Sequence, residues 1–379
     1  MVIREFFMEF SVLTWMMVYV AATHGFIPVL NFCENTCLLD HISNESIFTG
    51  IQLEQLPDFS IRANQGDYIH AIPCIEIGKH RRNQIQEPIT ESEMTCLRGL
   101  IGSLQYATTH TRPDMSAKLG EIQVQLSKPT VSTLLAANKV LREAKETSDV
   151  NICFRSIPPK DVTHVVFGDA SFASPKQLAS FQGTMVFATN PSLQENLKAP
   201  ISPLSWSSKK ISRVVRSTLS AEAFSMSRSV DKMGWCRLLW DTLVVPGFQW
   251  RSPPDAFRQL HAAIIVTDCK SLYDLVSRRA MPSCEEYRTT LEVLLIKERC
   301  LEHCFLDGYQ QLFNWLILLR RIWMPLFFVL PWNRGLFNFS MKLRACRRMP
   351  IRSKPSNGYV NHINRVFREC DFSINCLLM

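Results

Sequence analysis

The chain lacks the signals that most quickly sort a sequence of its length. It has no internal repeat and no long low-complexity segment, which excludes a solenoid array and a largely disordered chain. Its cysteines lack zinc-site grouping. Cys33/Cys37 and Cys300/Cys304 stand at CxxxC spacing, with His303 beside the second pair, but no further pair follows at zinc-finger distance. The 13 cysteines are odd in number and scattered, which fits free thiols in a reducing compartment, cytoplasmic or nuclear, rather than a disulfide framework. The first 300 residues also lack a charge excess, with 31 Lys and Arg against 30 Asp and Glu. The net charge of +8 belongs almost wholly to residues 301–379, which carry 11 basic against 4 acidic side chains. Bulk charge therefore gives no ground for a nucleic-acid-binding surface.

What is present suffices for a folded protein. A length of 379 residues with 46% hydrophobic and 20% charged side chains allows two or three domains, each with its own core. Two stretches are apolar enough to suggest a membrane. Residues 6–22 are broken only by Glu9, preceded by Arg4 and followed by small residues, as in a signal peptide or short span. Residues 312–330 are interrupted by Arg320 and Arg321. Neither has clean flanks or helical amphipathic periodicity, and no genuine membrane span is expected.

Between these stretches the pattern is regular. SIFTGIQLEQ and DFSIRANQGDYIHAI read as strand, turn and helix start. Residues 93–106 read as a helix with Leu97, Leu100, Ile101 and Leu104 on one face. THTRPDMS is a turn into a helix over 115–126, and a second helix over 131–144 follows the break at Pro129. Residues 43–150 are thus a mostly helical unit. Residues 151–300 alternate differently, with strands predicted at 163–169, 183–188 and 204–209 and a long helix over 217–243. Val230, Met233 and Leu239 or Trp240 are expected on that helix's inner face, and Pro246 follows its end. A strand at 261–268 and helices at 271–278 and 286–299 complete an α/β unit whose mixed sheet is covered by helices.

Three acids stand out at its element ends. Asp169 ends an apolar run rich in β-branched residues, Val165-Val166-Phe167, and Asp268 ends another, Ile264-Ile265-Val266-Thr267. Glu222 lies in the first turns of the long helix. Singly, each has an ordinary reading: a strand-end Asp caps or turns, and a helical Glu faces water. Together, two strand ends and a helix start can bring three carboxylates to one sheet edge, as two-metal phosphodiester hydrolysis requires. Hard divalent cations prefer such oxygen ligands.

The strings around these acids resemble the end of the Pol polyprotein of copia-type LTR retrotransposons. LRGLIGSLQYATTHTRPDMS resembles the segment after the reverse transcriptase palm, and LSKPTVSTLLAANKVLREAKET the connection helices. FGDASFAS, SFQGTMVF, SWSSKKISRVVRSTLSAEAF and VTDCKSLYDLV then resemble the ribonuclease H domain, in order. The resemblance covers residues of about 43–300. It implies a ribonuclease H-like mixed sheet over 151–300, preceded by a reverse transcriptase remnant and helical connection over 43–150. It implies that Asp169, Glu222 and Asp268 hold two Mg2+ ions, with Mn2+ as a substitute. Those ions would activate water against the RNA strand of an RNA–DNA hybrid. Such a hybrid would be recognised by its 2′-hydroxyls and shape. Ser171, Ser208, Lys209 and Lys210 are candidate contacts to phosphates, although a solvated strand end explains the lysines as well. Trp206 is expected in the core. The ancestral partners would be the reverse transcriptase and integrase portions of the same polyprotein.

Departures from the pattern carry information. Phe224 stands where the family usually has Tyr. The family's fourth acid, in a late A-D-x-L-T-K string after a W-x-P strand, has no counterpart in frame; Asp274 and Glu292 are nearby but in other contexts. No V-D-D string of a polymerase site occurs either, so polymerase activity is not expected. Both strings are permitted out of frame. Reading DGYQQLFNWLILLRRIWM one nucleotide earlier permits R-W-I-P-T-T-V-Q-L-A-D-S-L-T-K-N-M, and the same shift of LTWMMVYVAAT permits V-D-V-D-D-G-V-C-G-G-D. Residues of about 8–42 and 307–365 are therefore expected to be shifted-frame translation, which makes segments 1–42 and 301–379 by-products. The competing expectations are a catalytically inactive nucleic-acid-binding remnant and, more distantly, a protein anchored by residues 6–22.

Overall fold

A computed structural model describes residues 45–174, 179–193, 199–245, 248 and 263–303. The apolar stretches at 6–22 and 312–330, Cys33, Cys37, Cys304, and both shifted-frame windows lie outside the described residues.

The first unit opens with β1 (Glu45–Phe48), β2 (Ile51–Gln55) and β3 (Ile61–Asn64), paired antiparallel in that order. Thr49 and Gly50 form the β1–β2 connection with φ of 49° and 80°. A two-residue hairpin turn whose twist matches its strands needs positive φ at both central residues, and glycine takes the second at no steric penalty. The Tyr106 hydroxyl holds this turn by donating to the Thr49 carbonyl at 2.7 Å. Helices α1 (Gly66–Ala71), α2 (Lys79–Arg82), α3 (Glu91–His110), α4 (Ser116–Gln125) and α5 (Val131–Glu146) follow. Thr90 and Glu93 close a capping box at the start of α3. The expected stripe Leu97, Leu100, Ile101 and Leu104 is buried, packed on Leu119, Leu134 and Leu141 of α4 and α5. Arg112, at 1% exposure, ties this bundle together. It makes a two-pronged pair with Asp114 and reaches the Ala144 carbonyl and the Thr147 hydroxyl.

The chain then returns through β4 (Ile152–Phe154), which pairs antiparallel with β3 and completes the first sheet. This strand was not expected from the sequence. The second sheet consists of β5 (Thr163–Ser174), β6 (Ala179–Thr189), β7 (Ser202–Lys210) and β8 (Ala263–Val266), in the order β7-β6-β5-β8. β5, β6 and β7 are antiparallel neighbours, and β8 joins β5 in parallel. Helix α6 (Thr218–Val244) makes the crossover from β7 to β8, and α7 (Lys270–Ser277) and α8 (Tyr287–His303) follow. The result is a mixed sheet with helical cover, as the alternation of strands and helices in the sequence predicted.

Alternation divides the residues of the second sheet. Val166, Val186 and Leu204 face α6, with Val230, Met233 and Trp240 from the helix. Trp240 is fully buried and Leu239 only partly, which decides between the two expected positions. Val165, Phe187, Ile264 and Val266 form a separate cluster on the other face. The core below α6 also takes in Ile51, Ile61, Ile152 and Phe154 of the first sheet, so the two sheets share one apolar interior. The contact continues along β7. Trp206, in the core as expected, donates its indole N–H to the Thr108 carbonyl at 2.7 Å. The Arg155 N–H donates to the Ser202 hydroxyl at 2.7 Å, and Gly120 of α4 lies against the Ser208 carbonyl. Among the described residues, no helix is long and apolar enough to cross a membrane.

Candidate metal centre

Parallel strands place their carboxyl ends at the same sheet edge, where ligand sites of α/β folds form. β5 and β8 are in register from His164↔Ala263 to Phe167↔Val266. Two residues further along each strand path come Asp169 and Asp268, side by side at that edge. β7 runs parallel to β5, so α6 begins at the same edge. Ser217 caps it, its hydroxyl accepting from the Ser220 N–H at 3.1 Å. Glu222 follows in the second turn.

The three carboxylates meet. Asp169, Glu222 and Asp268 each offer an oxygen, and these atoms all lie within 4.8 Å of one another. Glu222 is buried at 7% exposure, unlike the solvated helix residue its local string suggests, whereas Asp169 and Asp268 are half-buried. At an effective dielectric of 20, each pair of charges at that separation repels by about 3 kcal/mol. A divalent cation relieves the repulsion. Oxygens sharing one hard divalent cation at about 2.0–2.6 Å lie no more than roughly 4–5 Å apart, so a spread of 4.8 Å would need little contraction to hold one. The donor set is all-carboxylate, oxygen donors of the kind hard cations prefer. The negative potential also reaches Cys269, the residue after Asp268. Burial pushes its thiol pKa up, and the charges of Glu222 and Asp268 push it further.

The remaining expected contacts lie at the same end of the sheet. Asp169 pairs with Gly183, which pairs with Ser208; Gln182 pairs with Lys209; Ser171 and Lys210 both pair with Phe181. Ser208 is thus two strands from Asp169, about 10 Å away. Ser171, Lys209 and Lys210 are exposed and Ser208 is half-buried. Glu292 is paired with Arg213 at 3.1 Å, and neither it nor Asp274 belongs to the carboxylate group.

Sequence reasoning missed the surroundings of Phe224. Its ring carries the Arg213 guanidinium at 4.3 Å and that of Arg228 at 5.6 Å from its centre. Arg228 stands four residues on along α6, a spacing that could have announced its contact, whereas Arg213 comes from the loop after β7 and no sequence spacing announces it. Ser225 was missed as well; it donates to the main-chain oxygen of Asp169.

No protein-family profile matches the chain. Over 165 residues, 43% of its length, it is 30% identical to the retrovirus-related Pol polyprotein from transposon RE1 of Arabidopsis thaliana. Over 159 residues, 41% of its length, it is 31% identical to the corresponding polyprotein from transposon RE2 of the same plant. The matched part spans only 10% of each relative. The resemblance to copia-type Pol polyproteins, first visible in short strings, therefore extends along a continuous alignment. Among solved structures, a foamy viral protease-reverse transcriptase in complex with double-stranded DNA overlaps 70% of this chain and 38% of its own, at a TM-score of 0.41 and 11% identity. The foamy viral enzyme with an RNA/DNA hybrid overlaps 81% of this chain and 32% of its own, at 0.38 and 10%.

Proposed function

We propose that Asp169, Glu222 and Asp268 form a divalent-metal centre of ribonuclease H type, inherited from a retrotransposon Pol polyprotein and directed at the RNA strand of RNA–DNA hybrids. The convergence of the three carboxylates within 4.8 Å supports this reading most strongly. Two Mg2+ ions, or Mn2+ in their place, would when bound activate the attacking water and stabilise the leaving 3′ oxygen. The chain's own residues supply the geometry. Glu222 is held in a buried, poorly hydrated position, while the half-buried aspartates leave the outer side open to a phosphate. Lys209 and Lys210 offer charge to the nucleic-acid backbone, and Ser171 and Ser208 offer hydroxyls. A protein reading A-form shape and 2′-hydroxyls needs no base contacts. With three acids grouped among the described residues, the second ion is held less tightly than the first. The activity is accordingly weak and stronger in manganese.

In this reading residues 151–300 carry the chemistry, and 43–150 are the reverse transcriptase remnant and connection that support them. The segments 1–42 and 301–379 are shifted-frame translation. Sequencing the transcript across the codons for residues 13–23 and 306–324 tests that point, since stop codons in the shifted frames would end it. The activity is tested by incubating the full chain with a hybrid labelled on its RNA strand. Metal-dependent cleavage abolished by Asp169→Asn supports the proposal. Hybrid binding without cleavage, indifferent to Asp169→Asn, would instead identify a non-catalytic binder.

A further inference from the structure

We propose that Ser225 is a positioning residue for the acid cluster: its hydroxyl locks α6 against β5 and so sets the distance between Glu222 and Asp169. This rests on the metal-centre reading above. Ser225 is fully buried, three residues after Glu222 on the same helix. Its Oγ donates to the main-chain oxygen of Asp169 at 2.7 Å and lies 3.3 Å from that of Gly183, the residue paired with Asp169 across the sheet. The helix carrying one carboxylate is therefore hydrogen-bonded to the backbone of the residue carrying another.

Apart from Ser225 and the Ser229–Thr184 hydroxyl pair, the α6–sheet contact is mostly apolar, and apolar burial is non-directional. It resists separation of helix and sheet but tolerates sliding. A hydrogen bond does not, because it is lost within a few tenths of an ångström beyond about 3.2 Å. A slide of one residue moves a helix by about 1.5 Å. Starting from a 4.8 Å spread, such a slide would carry an oxygen out of a common coordination sphere. The helix approaches the sheet closely at this point. A Cβ on Gly168 would lie 2.8 Å from the Ser229 hydroxyl, so the strand presents no side chain there. Ser229, one turn beyond Ser225, is equally buried. Its hydroxyl is 2.8 Å from that of Thr184 and donates to the Ser225 carbonyl at 2.8 Å. It ties α6 to Thr184 of β6 rather than to the backbone of Asp169, which makes it the natural comparison.

The test is calorimetric titration of MnCl2 into the full chain, with melting temperature measured alongside. Asp169→Asn should abolish binding. Ser225→Ala should weaken manganese binding about 10- to 100-fold, the usual loss when a residue orienting a metal ligand is removed. Ser229→Ala should lower the melting temperature comparably and leave affinity unchanged. Wild-type affinity in Ser225→Ala, or an equal loss in Ser229→Ala, would overturn the positioning role. A wild-type titration that Asp169→Asn does not alter would overturn the metal centre itself, and this inference with it. If Ser225→Ala does not fold, Ser225→Cys keeps the shape with a weaker donor. Intermediate affinity is then expected, and wild-type affinity refutes the proposal.

Discussion

The Asp169→Asn substitution should change stability in opposite directions with and without metal. In the metal-free protein the three carboxylates repel one another, with oxygens within 4.8 Å. Removing one charge abolishes two of the three pairwise terms, each about 3 kcal/mol before screening. Asp169 and Asp268 are half-buried, so water reaches them and little of that sum survives. We expect a net gain of about 1 kcal/mol for the variant in chelator. For a unit of this size that is a rise of roughly 2–4 °C in melting temperature. With metal the order reverses. A ligand at a hundred times its dissociation constant stabilises the folded state by about 2.7 kcal/mol. The wild type should therefore gain roughly 5–10 °C on saturation with manganese, while the variant gains almost nothing. Thermal melts of both proteins in EDTA and across a manganese series provide the assay. The electrostatic reasoning fails if the variant melts below the wild type in EDTA, or if manganese shifts both equally.

Other outcomes follow from particular contacts. Glu222→Gln and Asp268→Asn should each lower hybrid cleavage by at least about a hundredfold in manganese, read in single-turnover assays. Trp206→Phe removes the indole N–H that reaches the Thr108 carbonyl at 2.7 Å and should destabilise by about 1–2 kcal/mol in urea unfolding. Glu93 is held down to about 2 by the Arg81 guanidinium and then by the Thr90 N–H, from an ordinary 4.5. Because its folded pKa is depressed, its contribution is complete above about 4.5 and is lost as pH falls toward 2. The stability deficit of Glu93→Gln should therefore be full at neutral pH and close over that interval. A deficit independent of pH would leave the pairing without thermodynamic weight.

Much of this architecture is legible in the sequence because its signals are local. Val165-Val166-Phe167 and Ile264-Ile265-Val266 are apolar runs rich in β-branched residues that lead to an Asp, and the parallel pairing brings those ends together. The face of α3 announced itself through spacing, and Leu97, Leu100, Ile101 and Leu104 are all buried. What escaped is non-local or too short. Ile152-Cys153-Phe154 is a three-residue strand whose partner, β3, lies about 90 residues earlier, so neither periodicity nor a hairpin turn marks it. The burial of Glu222 depends on elements packed around α6 that its own string does not encode. Ser225 looks like any helical serine until its hydroxyl is seen against the Asp169 carbonyl. Local strings thus identified the three acids, but not the residues that hold them in place.

The contacts along the outer side of β7 bear on how this protein can be divided. A strand at the margin of a sheet presents main-chain donors and acceptors that another chain can zip onto. Here α4, the Thr108 carbonyl and the backbone at Arg155 occupy that flank, from Ser202 to Ser208. Residues 43–150 thus stand where another chain would have to approach the β7 margin of the second sheet. A fragment beginning at residue 151 would keep all three acids and lose most of that cover. It should self-associate more than the longer chain does, which size-exclusion chromatography of the two would show.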